Sequence, residues 1–319
     1  MRRDIAIAVA SLEGGGGESW AALIEDGAIV ELRLSRAGQT SHVGEIHLGR
    51  IVGLRPELPA ALVDIGLGRP GFLSAEDVVP KGGFAKLHEG QEVVVMVAKD
   101  ARAEKAAGLS MRIPGQVPAP PPGSRPPLRL DAPAPAVAAL IASWLDSAPD
   151  RIRIDDRGAY AELRHWLMAG RQELVGRLQF ASEKLYEDSG IGEAVERALS
   201  ARLGLQGGAA LVIEASAMAT TIDVDSGQAR SALAANLGAA EAVARQIRLR
   251  NLSGPIVVGF IGMKGQDGRA RVLAALKREL ALHAKDCQVL GWTRLGHVEL
   301  VRPRRAPSLA ELASEPGAR

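Results

Sequence analysis

Two aspartates and two sets of basic and aromatic side chains carry the groups in this chain that could act on a ligand. Asp223 and Asp225 stand at i and i+2 in the stretch TIDVDSG. On a strand, that spacing sends both carboxylates to one side. Such a pair can share a divalent cation, which orients a water and neutralises charge on a phosphate. Two exposed carboxylates at a strand end fit the same spacing. Arg245, Arg248 and Arg250 lie on or beside an amphipathic segment, and Arg294, Arg302, Arg304 and Arg305 flank the last apolar stretches. Guanidinium groups suit phosphate by bidentate contact, and they also serve as plain solvated charge. The remaining set is Phe72, in a GFL context, with His47, Arg50, Lys99 and Lys105. Small barrels hold single-stranded nucleic acid with stacking aromatics and basic side chains, although the same charges could simply solvate a structural barrel.

These residues need elements to position them. Asp4 to Ala10 and Ser19 to Leu34 read as strands, with an Asp26-Gly27 hairpin signal inside the alternating run AALIEDGAIVELRL. The glycine run at 14–17 reads as a turn or loop. From Gly44 onward come short strands separated by turn signals: GEIHLGRIVGL, AALVDIGLGRPGFL, EVVVMVAK and GLSMRI. Their regular spacing predicts a small barrel, with Gly44, Gly49, Gly66 and Gly71 at its bulges and corners. Residues 114–135 are proline-rich and read as an extended linker. Beyond them the pattern is mixed. Helices are predicted over Ala136 to Ser147, Ala159 to Gln172, Ile191 to Leu203, Leu237 to Leu249 (with Asn236 as N-cap) and Ala270 to Ala284. Strands are predicted over Arg151 to Ile154, Ala209 to Glu214, Thr220 to Val224, Pro255 to Ile261, Val289 to Thr293 and His297 to Val301. Such alternation argues an α/β or α+β body.

Composition narrows the class. Aromatics make up 3% and hydrophobics 47% of the 319 residues, so the cores must be built from Ala, Val, Leu and Ile. A net charge of +2 does not by itself indicate nucleic acid; the placement of the charge matters more. Cys287 is the only cysteine, which excludes a disulfide framework or a thiolate zinc site within one chain. No apolar run reaches membrane-spanning length, and the start of the chain lacks the long apolar stretch of a secretion signal. The expectation is a cytoplasmic protein with no membrane partner.

The stretch GEIHLGRIVGLRPELPAALVDIGLGRPGFLSAEDV closely resembles the S1-type RNA-binding domain of the bacterial ribonuclease E/G family. The resemblance continues through GIGEAVERALSARLGLQGGAALVIEASAMATTIDVDSG, NLGAAEAVARQIRLRNLSGPIVVGFIGM and RLGHVELVRPRR, so it covers nearly the whole chain. It implies an α+β (or α/β) protein in which an S1-type OB barrel is inserted in an RNase H-like subdomain, followed by a DNase I-like subdomain. The implied divisions are N-terminal strands at 1–40, the barrel at 41–113, the proline-rich linker at 114–135, the rest of the RNase H-like part at 136–198, the DNase I-like part at 199–305 and a tail at 306–319.

The resemblance also implies a metal-dependent endoribonuclease acting on single-stranded RNA, with Mg2+ held by Asp223 and assisted by Asp225, where the family pattern has Asn. It raises Arg248 and Arg250 as RNA contacts. Four departures weigh against ordinary activity. Gly259 and Gly262 stand where the family carries acidic residues, and Ala217 replaces a family Glu. Leu62 stands where an aromatic is usual, which weakens the expected stacking platform. The 5′-end sensing segment and the CxxC zinc link of the family have no counterpart here, so neither 5′-monophosphate preference nor zinc-linked dimerisation is implied. Two readings therefore stand: a ribonuclease, or a catalytically impaired RNA-binding module.

Overall fold

The computed structural model describes residues 1–11, 17–36, 42–55, 57–101, 105–113, 117, 119–131, 134–263, 265–304 and 306–314. Most of the glycine run at 14–17, together with Arg305, lies outside them. The chain divides into two compact units. One takes in Met1–Gly38 and Pro135–Arg319, the other Gln39–Ala134. The architecture is mixed α+β.

The chain opens with three antiparallel strands, β1 (Arg3–Ser11), β2 (Gly17–Glu25) and β3 (Ala28–Arg36). Asp26 and Gly27 make the tight turn between β2 and β3 with both φ angles positive, +47° and +86°, as a two-residue hairpin loop requires.

The second unit follows: β4 (Ile46–Arg55), β5 (Ala60–Asp64), β6 (Gly71–Ser74), β7 (Glu92–Lys99), β8 (Gly108–Ser110) and β9 (Leu128–Arg129). The order β5-β6-β8-β7-β4, with β4 also pairing β5, closes a five-stranded barrel. Ile51, Ala61, Val63, Leu73, Val93, Val95, Val97 and Leu109 fill its interior. Closure on such small side chains forces close approach. A Cβ on Gly49 would sit 2.6 Å from Val63 Cγ1, and one on Gly71 2.6 Å from Leu109 Cδ1, so only glycine fits at either position. β9 is a finding within the proline-rich segment. Residues 128–129 pair with His47 and Leu48 of β4, so the end of that segment packs on the barrel and is not spacer.

The chain returns to the first unit with α1 (Ala136–Leu145), β10 (Arg151–Ile154), α2 (Arg157–Gly170), α3 (Gln172–Val175), β11 (Leu178–Phe180), α4 (Leu185–Asp188) and α5 (Ile191–Leu199). β10 and β11 add in parallel, giving the sheet order β11-β10-β1-β2-β3. α1 and α2 pack against this sheet. Ala6, Ala8, Trp20, Ala22, Leu32 and Leu34 form a core with Leu185, Ile191, Val195 and Leu309.

A second sheet completes the unit: β12 (Arg202–Gly204), β13 (Ala210–Ala215), β14 (Thr220–Asp225), α6 (Ala232–Leu249), β15 (Gly254–Gly259), α7 (Gln266–His283), β16 (Gln288–Trp292), β17 (Val298–Arg302) and α8 (Leu309–Ala313). Its order is β12-β13-β14-β15-β17-β16. Ile213, Ile222, Val224, Ile256, Val258 and Leu300 pack with Val243, Ile247, Val272, Leu276 and Leu280 of α6 and α7. The helix predicted over 191–203 stops at Leu199, because residues 202–204 instead pair with β13. Among the described residues no helix is long and apolar enough to cross a membrane.

Candidate nucleic-acid interface and acidic site

Alternation fixes what the barrel shows to solvent. On β5 and β6 the residues Ala61, Val63, Gly71 and Leu73 point inward, leaving Leu62 and Phe72 half-buried on the outer surface. The two are directly paired across strands. The row extends on both sides: Gly53 pairs Leu62 on β4, Gly108 pairs Phe72 on β8, and Lys99 of β7 pairs Gly108. A Cβ on Gly108 would lie 3.3 Å from Lys99 Cβ and 3.6 Å from its Cδ, so the lysine stem covers the bare glycine beside Phe72. Leu62 Cδ1 similarly approaches Gly53. A bulge between Ile51 and Gly53 leaves Val52 unpaired and 47% exposed next to this row. The result is an apolar strip ending in an ammonium group. Lys105 is exposed just before β8. Arg50 is exposed and lies 3.5 Å from Glu92, with both side chains 47% accessible. A pair this open is held by well under about 1 kcal/mol and leaves guanidinium donors for an anion.

His47 is not part of that surface. It is 3% exposed, and its Nε2 lies 3.0 Å from Glu45 Oε2. Glu45 in turn accepts from Arg129 at 2.6 Å, and Arg129 also pairs with Asp131 at 3.0 Å. Burial pushes Asp131 up, but the Arg129 hydrogen bond and the Ile46 N–H outweigh it and hold the carboxyl below its ordinary range. His47 therefore belongs to the network that docks β9.

Arg248 and Arg250 are likewise structural. Arg248, with 15% of its side chain accessible, packs against Glu25 and Glu31 at 3.0 Å and 3.5 Å. Burial opposes its charge, yet the two carboxylates raise its pKa overall. Arg250 is 6% exposed and donates to Gln246, to the Ser200 carbonyl and to the Arg197 carbonyl. With neutral partners, burial pulls it down to about 10, still charged near neutrality. Arg302 donates to the Ile247 and Leu252 carbonyls and pairs with Asp286. Arg304 pairs with Glu311, and Arg245 pairs with Glu241 at the surface. Arg294 is exposed.

On the second sheet the burial of β14 alternates from Thr220 to Val224, which puts Asp223 on the face opposite the helices, and its carboxylate is exposed. Asp223 pairs Val212 on one side and Gly259 on the other. Asp225 is two residues along but is already engaged. Arg202 donates to it at 2.6 Å, and the Gly227 N–H donates at 3.0 Å. The Gly227 bond first, then Arg202, lowers its pKa. The two aspartates share a strand, and Asp225 is the one held by Arg202 and the Gly227 N–H. Gly262 and Ala217 are exposed.

The position next to Asp223 is occupied from an unexpected direction. A Cβ on Gly259 would meet Asp223 Oδ1 at 2.8 Å and His297 Nδ1 at 3.6 Å. Neither motif spacing nor periodicity links residue 297 to residue 223. His297 immediately precedes β17 and is exposed, as is Glu299 on that strand. Nearby, Arg269 lies over the Trp292 ring at 5.4 Å and approaches the Gly296 turn.

Asn236 positions this region from behind. It is not the N-cap: Ser231 caps α6 by accepting from the Ala234 N–H. Asn236 is instead fully buried inside the helix. Its amide donates to the Ile261 carbonyl at 2.8 Å and accepts from the Ile261 N–H at 2.9 Å, which pins the backbone two residues after Gly259.

Comparison with known proteins identifies the family. Residues 123–305 match the family model described as Ribonuclease E/G family. The chain belongs to the ribonuclease E/G family. Ribonuclease G of Escherichia coli K12 is 25% identical over 385 residues, covering 92% of this chain and 79% of that protein. Ribonuclease G of Haemophilus influenzae is 26% identical over the same share of this chain and 78% of its own. The chloroplastic ribonuclease E/G-like protein of Arabidopsis thaliana is 30% identical over 188 residues, 56% of this chain and 19% of that protein.

The family resemblance implies Mg2+, which takes oxygen ligands in near-ideal octahedral geometry. The residues present do not fit it. Asp223 offers one free carboxylate, Asp225 is held by Arg202, and Gly259 has no side-chain oxygen. Among the described residues no group of three His, Cys, Asp or Glu side chains could hold a metal ion.

Proposed function

We propose that this chain is a single-stranded RNA-binding member of the ribonuclease E/G family, in which the outer face of the barrel carries the RNA and the acidic centre lacks a ready magnesium site. On this reading the barrel is an S1-type OB module. The β11-β10-β1-β2-β3 sheet with its helices corresponds to the RNase H-like part, and the second sheet to the DNase I-like part. A cytoplasmic location follows from the same reading.

The observation that carries it is the row Gly53, Leu62, Phe72, Gly108 and Lys99. Bare glycines flank two apolar side chains and leave a flat shelf on which a base can lie. Lys99 stands at the edge, where a phosphate would pass. Stacking on an aromatic is sequence-tolerant and contributes roughly 1–3 kcal/mol per base. Fluorescence anisotropy with an unstructured RNA oligonucleotide tests it. Phe72→Ala should weaken binding by that amount, and Leu62→Phe should strengthen it. Affinity should fall steeply with salt and should not change when Mg2+ is chelated. Unchanged affinity in Phe72→Ala would remove the barrel face as the RNA site.

A second reading, RNA cleavage, is favoured by the exposed carboxylate of Asp223 and by the ribonucleases among the relatives. Incubating the RNA with the protein and Mg2+ or Mn2+, beside an Asp223→Ala, Asp225→Ala double variant, separates the two. Cutting by the unaltered chain alone establishes cleavage; no cutting by either leaves RNA binding as the function.

A further inference from the structure

We infer that Glu89 selects the base that lies on the barrel strip, favouring guanine in single-stranded RNA. The inference rests on the barrel face as the RNA site and names what that face reads. The strip has two unlike ends. Lys99 closes the end beyond Gly108. At the other end Gly53 and Leu62 are directly paired. The point where a Gly53 Cβ would sit is 3.8 Å from Leu62 Cδ1 and 4.0 Å from Glu89 Oε1. A methyl group and a carboxylate oxygen therefore border one bare glycine on the outer surface of the barrel. The turn that carries Glu89 is fastened to β4. The Gly90 N–H donates to the Ile51 carbonyl at 2.8 Å, and the Ile51 N–H donates to the Gln91 carbonyl at 2.9 Å. The β4 bulge begins at Ile51, so bulge and turn together set the carboxylate beside Gly53. Glu89 is exposed, and among the described residues no hydrogen bond or ion pair engages its carboxylate.

The chemistry of the carboxylate decides the base. When ionised it only accepts hydrogen bonds, so the base edge turned towards it must donate. Guanine places two donors side by side on its Watson–Crick edge, N1–H and the N2 amino group, which match the two carboxylate oxygens. Adenine and cytosine offer one amino group there and uracil one N3–H, each beside an acceptor that a carboxylate repels. Unpaired bases leave this edge free, and single-stranded RNA is read through it. The opposed charges also give the strip a direction. Phosphates are drawn to the Lys99 end and kept from the Glu89 end.

The experiment is fluorescence anisotropy of the full chain with short uridine RNAs that carry guanosine, adenosine, cytidine, inosine or uridine at the central position. The guanosine RNA should bind about fivefold or more tighter than the adenosine, cytidine and uridine RNAs. Inosine, which lacks the N2 amino group, should lose most of that gain. Glu89→Gln should bring the guanosine RNA level with the uridine RNA without weakening the uridine RNA. A merely structural role for Glu89 would instead weaken every RNA alike. Phe72→Ala keeps the two readings distinguishable. If it weakens no RNA, the barrel face is not the RNA site and this inference falls with it. If it weakens binding but the unaltered protein holds all the RNAs equally, or Glu89→Gln keeps the guanosine preference, the barrel face stands and the role of Glu89 is overturned.

Discussion

Arg248 shows how a residue that looks made for phosphate is used internally. Its guanidinium spans Glu25 on β2 and Glu31 on β3, and those carboxylates are shared with Arg3 and Arg33. Trp144 of α1 donates to the same Glu31. Removing one partner from a buried ion network leaves uncompensated charge, so Arg248→Met should destabilise the fold by roughly 3 kcal/mol. RNA affinity should stay unchanged, which separates this role from surface contact. The network also sets a pH dependence. Burial by itself would raise the Glu25 pKa, but Arg248 and Arg3 outweigh it, and the folded value lies below the ordinary 4.5. A depressed carboxylate contributes stability that is fully present above its unfolded pKa and is lost as pH falls through the folded one. Urea midpoints should therefore drop as pH falls below about 4.5, and the drop should be shallower in Arg248→Met. Equal slopes in the two proteins would show that Glu25 is not the group responsible.

At the scale of elements, one buried amide holds the acidic strand pair in place. Asn236 gives the Ile261 backbone both a donor and an acceptor just where β15 ends. Asn236→Ala would strand a buried N–H and a buried carbonyl, at a cost of roughly 1–3 kcal/mol for each group that water fails to reach. The thermal midpoint should fall, and amide exchange at residues 260–262 should speed up more than in the barrel. Exchange that is uniform across the chain would argue against a local clamp. This residue also marks a limit of the sequence. Asn before an apolar periodic run is a good N-cap pattern, and nothing local distinguishes Asn236 from the true cap at Ser231 until Ile261, 25 residues away, is packed against it. The same holds for Arg248, whose partners lie 223 and 217 residues away, and for His47, which is covered by pairing with Arg129 of β9. Features set by near neighbours were legible: the Asp26-Gly27 hairpin, the alternation of β14 and the glycines of the barrel. The pairing of Leu62 with Phe72 joins two strands that are consecutive in the chain. The placing of Asp223 and His297 beside Gly259 depends on connections that run through two helices, and no spacing reveals it.

For the whole molecule, the division into two compact units makes the proposed RNA binding by the barrel testable as a local event. The barrel has its own core of Val, Leu, Ile and Ala, and the candidate RNA surface lies entirely on its strands. A ligand that binds only the folded state adds about 2.7 kcal/mol of stability at roughly 100 times its Kd. If the barrel face alone takes the RNA, that gain appears in the barrel and nowhere else. Hydrogen exchange followed by mass spectrometry should then show slowed exchange over β4 to β8 when a short unstructured RNA is added, with β13 to β17 unchanged. The oligonucleotide must be short, because a long one can reach further surfaces through phosphate contacts alone. Slowed exchange at β14 and β17 with a short RNA would mean that the Asp223 face also binds nucleic acid, and it would move the cleavage reading ahead of the RNA-binding one. Protection confined to the barrel, with Arg248→Met and Asn236→Ala leaving it intact, would place recognition on the outer strip of Leu62, Phe72 and Lys99.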